Sequence, residues 1–297
     1  MTESLGEVAA ITHRLAVLLA AGVTPVSAWS HVAVGARSAV PAAAAASGPA
    51  GIPAAIVAAA TGGDASARQA WRGLAAAWAV ATDAGAPLAP SLTSYASSLR
   101  ALADAQRDVR VALAGPRSTA RIVMVLPAIG VLFGLALGFN TLGVLVRTPP
   151  GWMCVAAGAA LMLLARYWTR RLLASAQPAD TTPGLDHDLA AIAVSGGGAL
   201  DRAVAAVHEA GATYGITVGD LDATLDLSRR AGVPAGDLLR GEAEERRRAA
   251  RADAQERAAA LSVRLMLPLG LCVLPAFMVL GVLPLLIAVV SSTVGTF

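Results

Sequence analysis

The chain reads as an all-α integral membrane protein with two repeated cytoplasmic helical-bundle domains and about three transmembrane helices. Three observations predict this. From Leu265 to Phe297 no side chain is charged, a run well beyond the roughly 20 apolar residues that span a bilayer. A second uncharged window runs from Ile122 to Val146. The pattern leading into each window is the same: a turn of the form A-G-x-P, then a charged, alanine-rich helical stretch. At an offset of 147, Gly85 falls on Gly232, Pro87 on Pro234, Leu92 on Leu239, Ala103 on Ala250 and Arg110 on Arg257. Upstream, Leu15–Ala33 matches Leu189–Val207 in rhythm at an offset of 174, with Gly22 on Gly196. Two copies of one unit is the architecture this implies.

Gly22 and Gly85 lie 63 residues apart, Gly196 and Gly232 only 36, so the first copy carries 27 more residues. They fit the Ala/Gly/Pro-rich stretch at about 39–68, either a helix pair or a partly ordered insertion. The expected organisation is a first cytoplasmic domain over 1–121 and two spans with a short outside turn over 122–168. A second cytoplasmic domain over 169–264 and a third span with a short outside tail over 265–297 complete it. Hydrophobic residues make up 56% of the chain and charged ones 14%, with mean hydropathy +0.62. Each value lies on the membrane side of ordinary globular usage.

The N-terminus carries Glu3 and Glu7 where a secretory signal would be basic, so Leu5–Ala21 is read as a domain helix. Gly22 ends it and Pro25 starts the next. Over 67–82, Trp71, Leu74, Trp78 and Ala81 recur at spacings of three and four, an amphipathic helix with both tryptophans in the core. The window 122–146 is 25 residues, about 37 Å as a helix. Arg147, Pro149 and Pro150 form a tight turn, and Trp152–Trp168 is the shortest span, with aromatics at both ends where interfacial belts place them. In the last span, Pro268, Pro275 and Pro284 are tolerable because neighbouring helices re-satisfy the freed carbonyls. Arginine sets the orientation. Arg100, Arg107, Arg110, Arg117 and Arg121 precede the first span, Arg166, Arg170 and Arg171 follow the second, and Arg257 and Arg264 precede the third. The positive-inside rule then puts both repeat domains and the N-terminus in the cytoplasm and the C-terminus outside.

Little in the sequence speaks for chemistry. All 23 basic residues are arginine, which excludes a P-loop lysine and Schiff-base cofactors. A net charge of +3, evenly spread, argues for no nucleic-acid partner. Asp186-His187-Asp188 has metal-ligand residue types, but adjacent positions on a helix point to different faces, and the expected reading is a solvated helix start. Ser195–Gly198 lacks the GK[ST] of a phosphate cradle and is read as a tight helix–helix turn. Cys154 and Cys272 both lie in spans and are read as small packing residues. No Ser–His–Asp or paired-carboxylate set suggests itself, and Asn140 is the one strongly polar side chain inside a span, which counts against ion coupling. No enzyme activity, cofactor or metal is expected.

The helix expected over 238–264 has an inward stripe of Leu239, Ala243, Ala250, Ala254, Ala258, Leu261 and Leu265, interrupted near Arg246 and Arg247. Glu242 with Arg246, Glu244 with Arg248 and Asp253 with Arg257 are i,i+4 pairs with the acid first, each worth about 0.2–0.5 kcal/mol. One reading is a solvated helix held by such pairs. The other makes Arg246, Arg247 and Arg248 a docking site for an acidic partner surface.

Two helical repeats, each beginning L-x-x-L/I-L/A-x-x-G and containing A-G-x-P before a charged helix, resemble the type II secretion system F domain family. The closing run from Arg264 to Pro284, RLMLPLGLCVLPAFMVLGVLP, is similar to its Tad/Flp-pilus members. The resemblance implies a non-enzymatic inner-membrane platform that meets a cytoplasmic secretion ATPase and helps lift pilin subunits from the bilayer. It implies a homo-oligomer or a hetero-oligomer with a paralogous platform protein. The acidic residues that the family's second domain turns toward the motor are matched loosely by Asp83 and Asp237. The alternatives are a permease-like subunit energised by a separate ATPase, and a membrane-tethered adaptor.

Overall fold

The computed structural model describes residues 4–112, 149–175 and 182–284, with positions 125, 129, 132, 136, 286 and 287. Every regular element among the described residues is helical. Helices α1 (Leu5–Ala20), α2 (Pro25–Ala33), α3 (Val40–Ala46), α4 (Ile52–Ala59), α5 (Ala65–Asp83) and α6 (Leu88–Ala112) come first. Then follow α7 (Pro149–Ser175), α8 (Leu185–Ser195), α9 (Leu200–Tyr214), α10 (Asp222–Ala231) and α11 (Ala235–Arg264). Two compact units result: residues 1–107 with 178–252, and residues 108–177 with 253–297.

The first unit draws on both polar segments of the sequence. Where two separate bundles are expected, one core holds Trp29, Trp71 and Trp78 of the first segment with Leu189, Val207 and Leu239 of the second. Helix α8 shows why. Every residue from Leu185 to Ala193 is buried, and a helix covered on all sides has to be enclosed by more neighbours than a surface helix needs. The first segment supplies them, α5 packing against α8 and α9 as well as α1 and α4. Trp71 and Trp78 are core as expected, and Trp78 stacks on Trp29 with centroids 5.8 Å apart.

The insertion is a helix pair. α3 and α4 are joined by a short 3-10 turn, Pro49–Gly51, and α5 already begins at Ala65, capped by Asp64, whose carboxylate accepts the Ala67 N–H at 2.7 Å. The left-handed turns after α1 and α8 lie 175 residues apart, where the repeat pattern expects 174. Gly22 is left-handed at φ 86°, and its counterpart in the second segment is Gly197 at 79°, while Gly196 sits at −73°. The offset is therefore 175, the same that carries Pro25 at the start of α2 onto Leu200 at the start of α9. Gly196 instead lies so close to the Ala84 carbonyl that a Cβ there would collide with it. The helices that the repeat pattern would pair differ in length, α5 having 19 residues and α10 only 10.

In the second unit α7 has 27 residues, about 40 Å, so the segment expected at Trp152–Trp168 extends well past both tryptophans. The segment after α11 stays helical to Val282, with π-helical turns at Leu269–Val273 and Met278–Val282. Each lies just ahead of a proline, Pro275 or Pro284, whose missing N–H and bulky ring open the ladder locally. α7 packs against this segment: Ala165 meets Cys272 and Val273, and Gly158 faces Leu280. Those two pairings run in opposite directions along the chain, so the two helices are antiparallel. Both cysteines are buried and free. Trp152, Met153, Leu163, Met266 and Leu271 are exposed, an apolar exterior. The stretches Pro149–Leu172 and Ala235–Val282 are long and apolar enough to cross a membrane. Of the window 122–146 only Val125, Ile129, Leu132 and Ala136 are described, each helical and exposed; the span as a whole, with Asn140, lies outside the described residues.

Candidate functional site

Among the described residues, the buried Asp and His side chains of the first unit cluster in the first turn of α8. Gly184, at φ 77°, brings the chain into α8 against α11 so tightly that a Cβ would lie 2.6 Å from the Ala243 carbonyl oxygen. Asp186, His187 and Asp188 follow, and all three are buried. The expected solvated helix start is thus overturned. The three side chains leave the helix in different directions, as adjacent positions must, but each packs against the protein and only His187 is wholly buried.

Asp186 Oδ1 accepts the His187 backbone N–H and the His187 ring, both at 2.9 Å, and Oδ2 accepts the Gly219 N–H at 3.0 Å. Arg246 Nη1 stands 3.8 Å away. Burial opposes ionisation of this carboxyl, but the hydrogen bonds from His187 and Gly219 outweigh it and hold the pKa at about 2. An ionised carboxylate only accepts, so His187 Nδ1 carries the proton. Nε2 then faces the interior with no hydrogen-bond partner among the described residues. Asp188 joins three helices. Its Oδ2 accepts Arg247 Nη1 of α11 at 2.7 Å and Ser98 Oγ of α6 at 2.9 Å. Burial pushes Asp188 up, and the Asp186 charge adds to that against the pull of Arg247 and Ser98. Both acids sit where the α8 dipole favours negative charge. Nearby, Tyr95 of α6 donates to the Ala70 carbonyl of α5 at 2.7 Å, its hydroxyl pushed up by burial and by the Asp188 charge.

The geometry fits a clasp better than a catalyst. Ser98 bonds to Asp188 and not to His187, so no serine–histidine relay forms, and His187 is wholly buried. Among the described residues no three His, Cys, Asp or Glu side chains are placed to hold a metal ion. What the cluster does is tie α6 and α11, which lead toward the two apolar segments, to the start of α8.

Of the expected docking residues, Arg247 turns inward and is 11% exposed, held by Asp188 and by Glu244 at 3.2 Å. Arg246 is half-exposed and pairs with Glu242 at 3.1 Å. Arg248 points outward, 70% exposed, and pairs with Glu244 at 3.1 Å. Asp237 is exposed in the first turn of α11 and accepts Arg240 at 3.0 Å. Asp83 is exposed at the end of α5, where its charge, after burial, helps push Tyr214 up. The three expected i,i+4 pairs all form, the third between Asp253 and Arg257 at 3.3 Å. Sequence reasoning missed the Asp188–Arg247–Ser98 bonds, which span 59 and 90 residues. One signal was present. Leu239, Ala243 and Arg247 are spaced by four, so an arginine stands on the buried stripe of α11 and requires an acid opposite. Comparison with family models, curated protein sequences and solved structures gives no match.

Proposed function

We propose that this chain is an inner-membrane platform of a type II secretion or Tad/Flp-like pilus assembly machine, coupling a cytoplasmic ATPase to the extraction of pilin subunits. The reading rests on the resemblance of its repeats and of the run Arg264–Pro284 to the type II secretion system F domain family. The observation that carries it furthest is the course of the chain through α11. This helix begins in the polar unit, where Leu239 and Ala243 are buried, and the chain stays helical into an apolar stretch ending at Val282. A partner that displaces the polar unit then has a direct covalent route to the apolar segment. The platform is expected to do no chemistry of its own, and the exposed charges Asp83, Asp237 and Arg248 are its docking candidates.

Pull-down of a cytoplasmic secretion ATPase from the source cell is the test. Arg248→Glu with Asp237→Arg reverses two exposed charges and leaves the Asp188 clasp intact. Binding is expected to fall by about tenfold or more, with the protein still folded and inserted. Undiminished binding, with pili still assembled, would place docking elsewhere; failure of the unaltered protein to bind any such ATPase would remove the platform reading.

A further inference from the structure

We propose that the C-terminal end of α7 holds the phosphate headgroup of an anionic phospholipid. The proposal rests on α7 crossing a membrane and not on the platform reading. Leu164, Tyr167, Trp168, Arg171 and Leu172 line a groove of about 430 Å³, within the roughly 300–1,000 Å³ of small-molecule sites. Spacings of three and four put these residues on one face of the helix. Trp168 is held in place from behind, packed against Ala165, Cys272 and Val273.

The charge at this end of α7 has one sign, and Arg171 brings it into the groove. Arg166, Arg170 and Arg171 are exposed and have no ion-pair partner among the described residues. Nor can a nearby acid be found in the sequence. Between Asp108 and Asp180, and again from Arg257 to Phe297, there is no Asp or Glu. Among the described residues, the apolar segment after α11 packs on α7, and that segment brings no carboxylate. Carrying the antiparallel register of Ala165 with Cys272 further along brings Arg171 level with Met266, within a turn of Arg264, another cation. One guanidinium, that of Arg171, beside an aromatic and leucine wall, with Arg170 and Arg166 on other faces of the same helix end, matches a lipid in both its parts. The fork-shaped donors suit phosphate oxygens, and Leu164 and Trp168 suit the start of an acyl chain. Clustered arginines at the end of a membrane helix attract anionic headgroups, by about fivefold in affinity per residue.

Native mass spectrometry of the full chain in detergent tests this, with dioleoyl phosphatidylglycerol or phosphatidylcholine added at equal concentration. The unaltered protein is expected to retain phosphatidylglycerol at least about tenfold better. Arg166→Gln/Arg170→Gln/Arg171→Gln should abolish that preference, and Arg171→Gln alone should reduce it about fivefold. Arg202→Gln, in the other unit, should leave it unchanged. Equal retention of the two lipids, or a triple variant that keeps the preference, overturns the proposal. Displacement of the lipid by inorganic phosphate at similar concentration also overturns it, since the site would then be a phosphate site with no use for the acyl wall. If the triple variant fails to fold, the single variant decides.

Discussion

At the scale of single residues, Asp188–Arg247 is the most buried arginine–carboxylate pair among the described residues of the first unit. Both partners are largely out of water, and removing one leaves the other buried without compensation. Arg247→Met is expected to cost about 2–4 kcal/mol, below the ceiling for fully buried pairs because the guanidinium keeps some solvent. Because the two groups touch, a double-mutant cycle with Asp188→Asn, followed by denaturant unfolding, should return a coupling of at least about 1 kcal/mol. Strict additivity would show that they do not interact. The same cluster gives the protein an acid limit. The Asp186 pKa is about 2 in the folded state, below the ordinary value near 3.9 of an unfolded chain. Its contribution is fully present above about pH 4 and is lost as pH falls through 4 toward 2, on the order of 2 kcal/mol in all. Asp188, pushed up, has the opposite sign: its ionisation opposes folding, so its contribution wanes as pH rises through the carboxylate range. Asp186→Asn should therefore flatten the acid limb of a stability–pH profile. An unchanged limb would mean that other carboxylates set it.

At the scale of elements, the two units are built on different rules. Helix α8 buries nine of its eleven residues and α5 eleven of its nineteen, with tryptophan and leucine filling the gaps that alanine leaves. α7 and the segment after α11 pair through small residues and leave their large apolar side chains outward, as helices do where lipid replaces water outside. Gly158 is a point of close approach, since a Cβ there would strike the Leu280 side chain. Gly158→Val should force the two helices apart and lower the thermal midpoint in detergent by several degrees, an overpacking cost of about 1–3 kcal/mol. Gly270→Val, on the same segment but in open space, should have a smaller effect. Equal effects would show that the helix pair is not packed through Gly158.

At the scale of the whole molecule, the arrangement of the chain about a membrane is still a matter of charge. The arginine bias predicts that Ser175 lies on the cytoplasmic side and Thr293 outside. With Cys154 and Cys272 replaced by alanine, Ser175→Cys and Thr293→Cys should react with an impermeant maleimide from opposite faces of intact inner membrane. Labelling of Ser175 from the outside would reverse the orientation and withdraw the platform reading with it.

Local pattern was enough for much of this protein. The helices Leu5–Ala20 and Ala65–Asp83, the core tryptophans, the apolar stretches and the three i,i+4 pairs of α11 all follow from periodicity and charge spacing over a few turns. Such features depend on neighbours close in sequence, so one chain suffices to read them. The tertiary structure alone decided three things. It joined the two polar segments in one core, because α8 must be covered on every side and its own segment is too small to do so. It put the left-handed turn after α8 on Gly197, one residue past the position the pattern expects, because Gly196 is pressed against Ala84. It also turned Asp186-His187-Asp188 from an apparent solvated start into a buried clasp. Each acid there is tolerable only because a donor arrives from 33 to 90 residues away, and no local spacing records who will arrive.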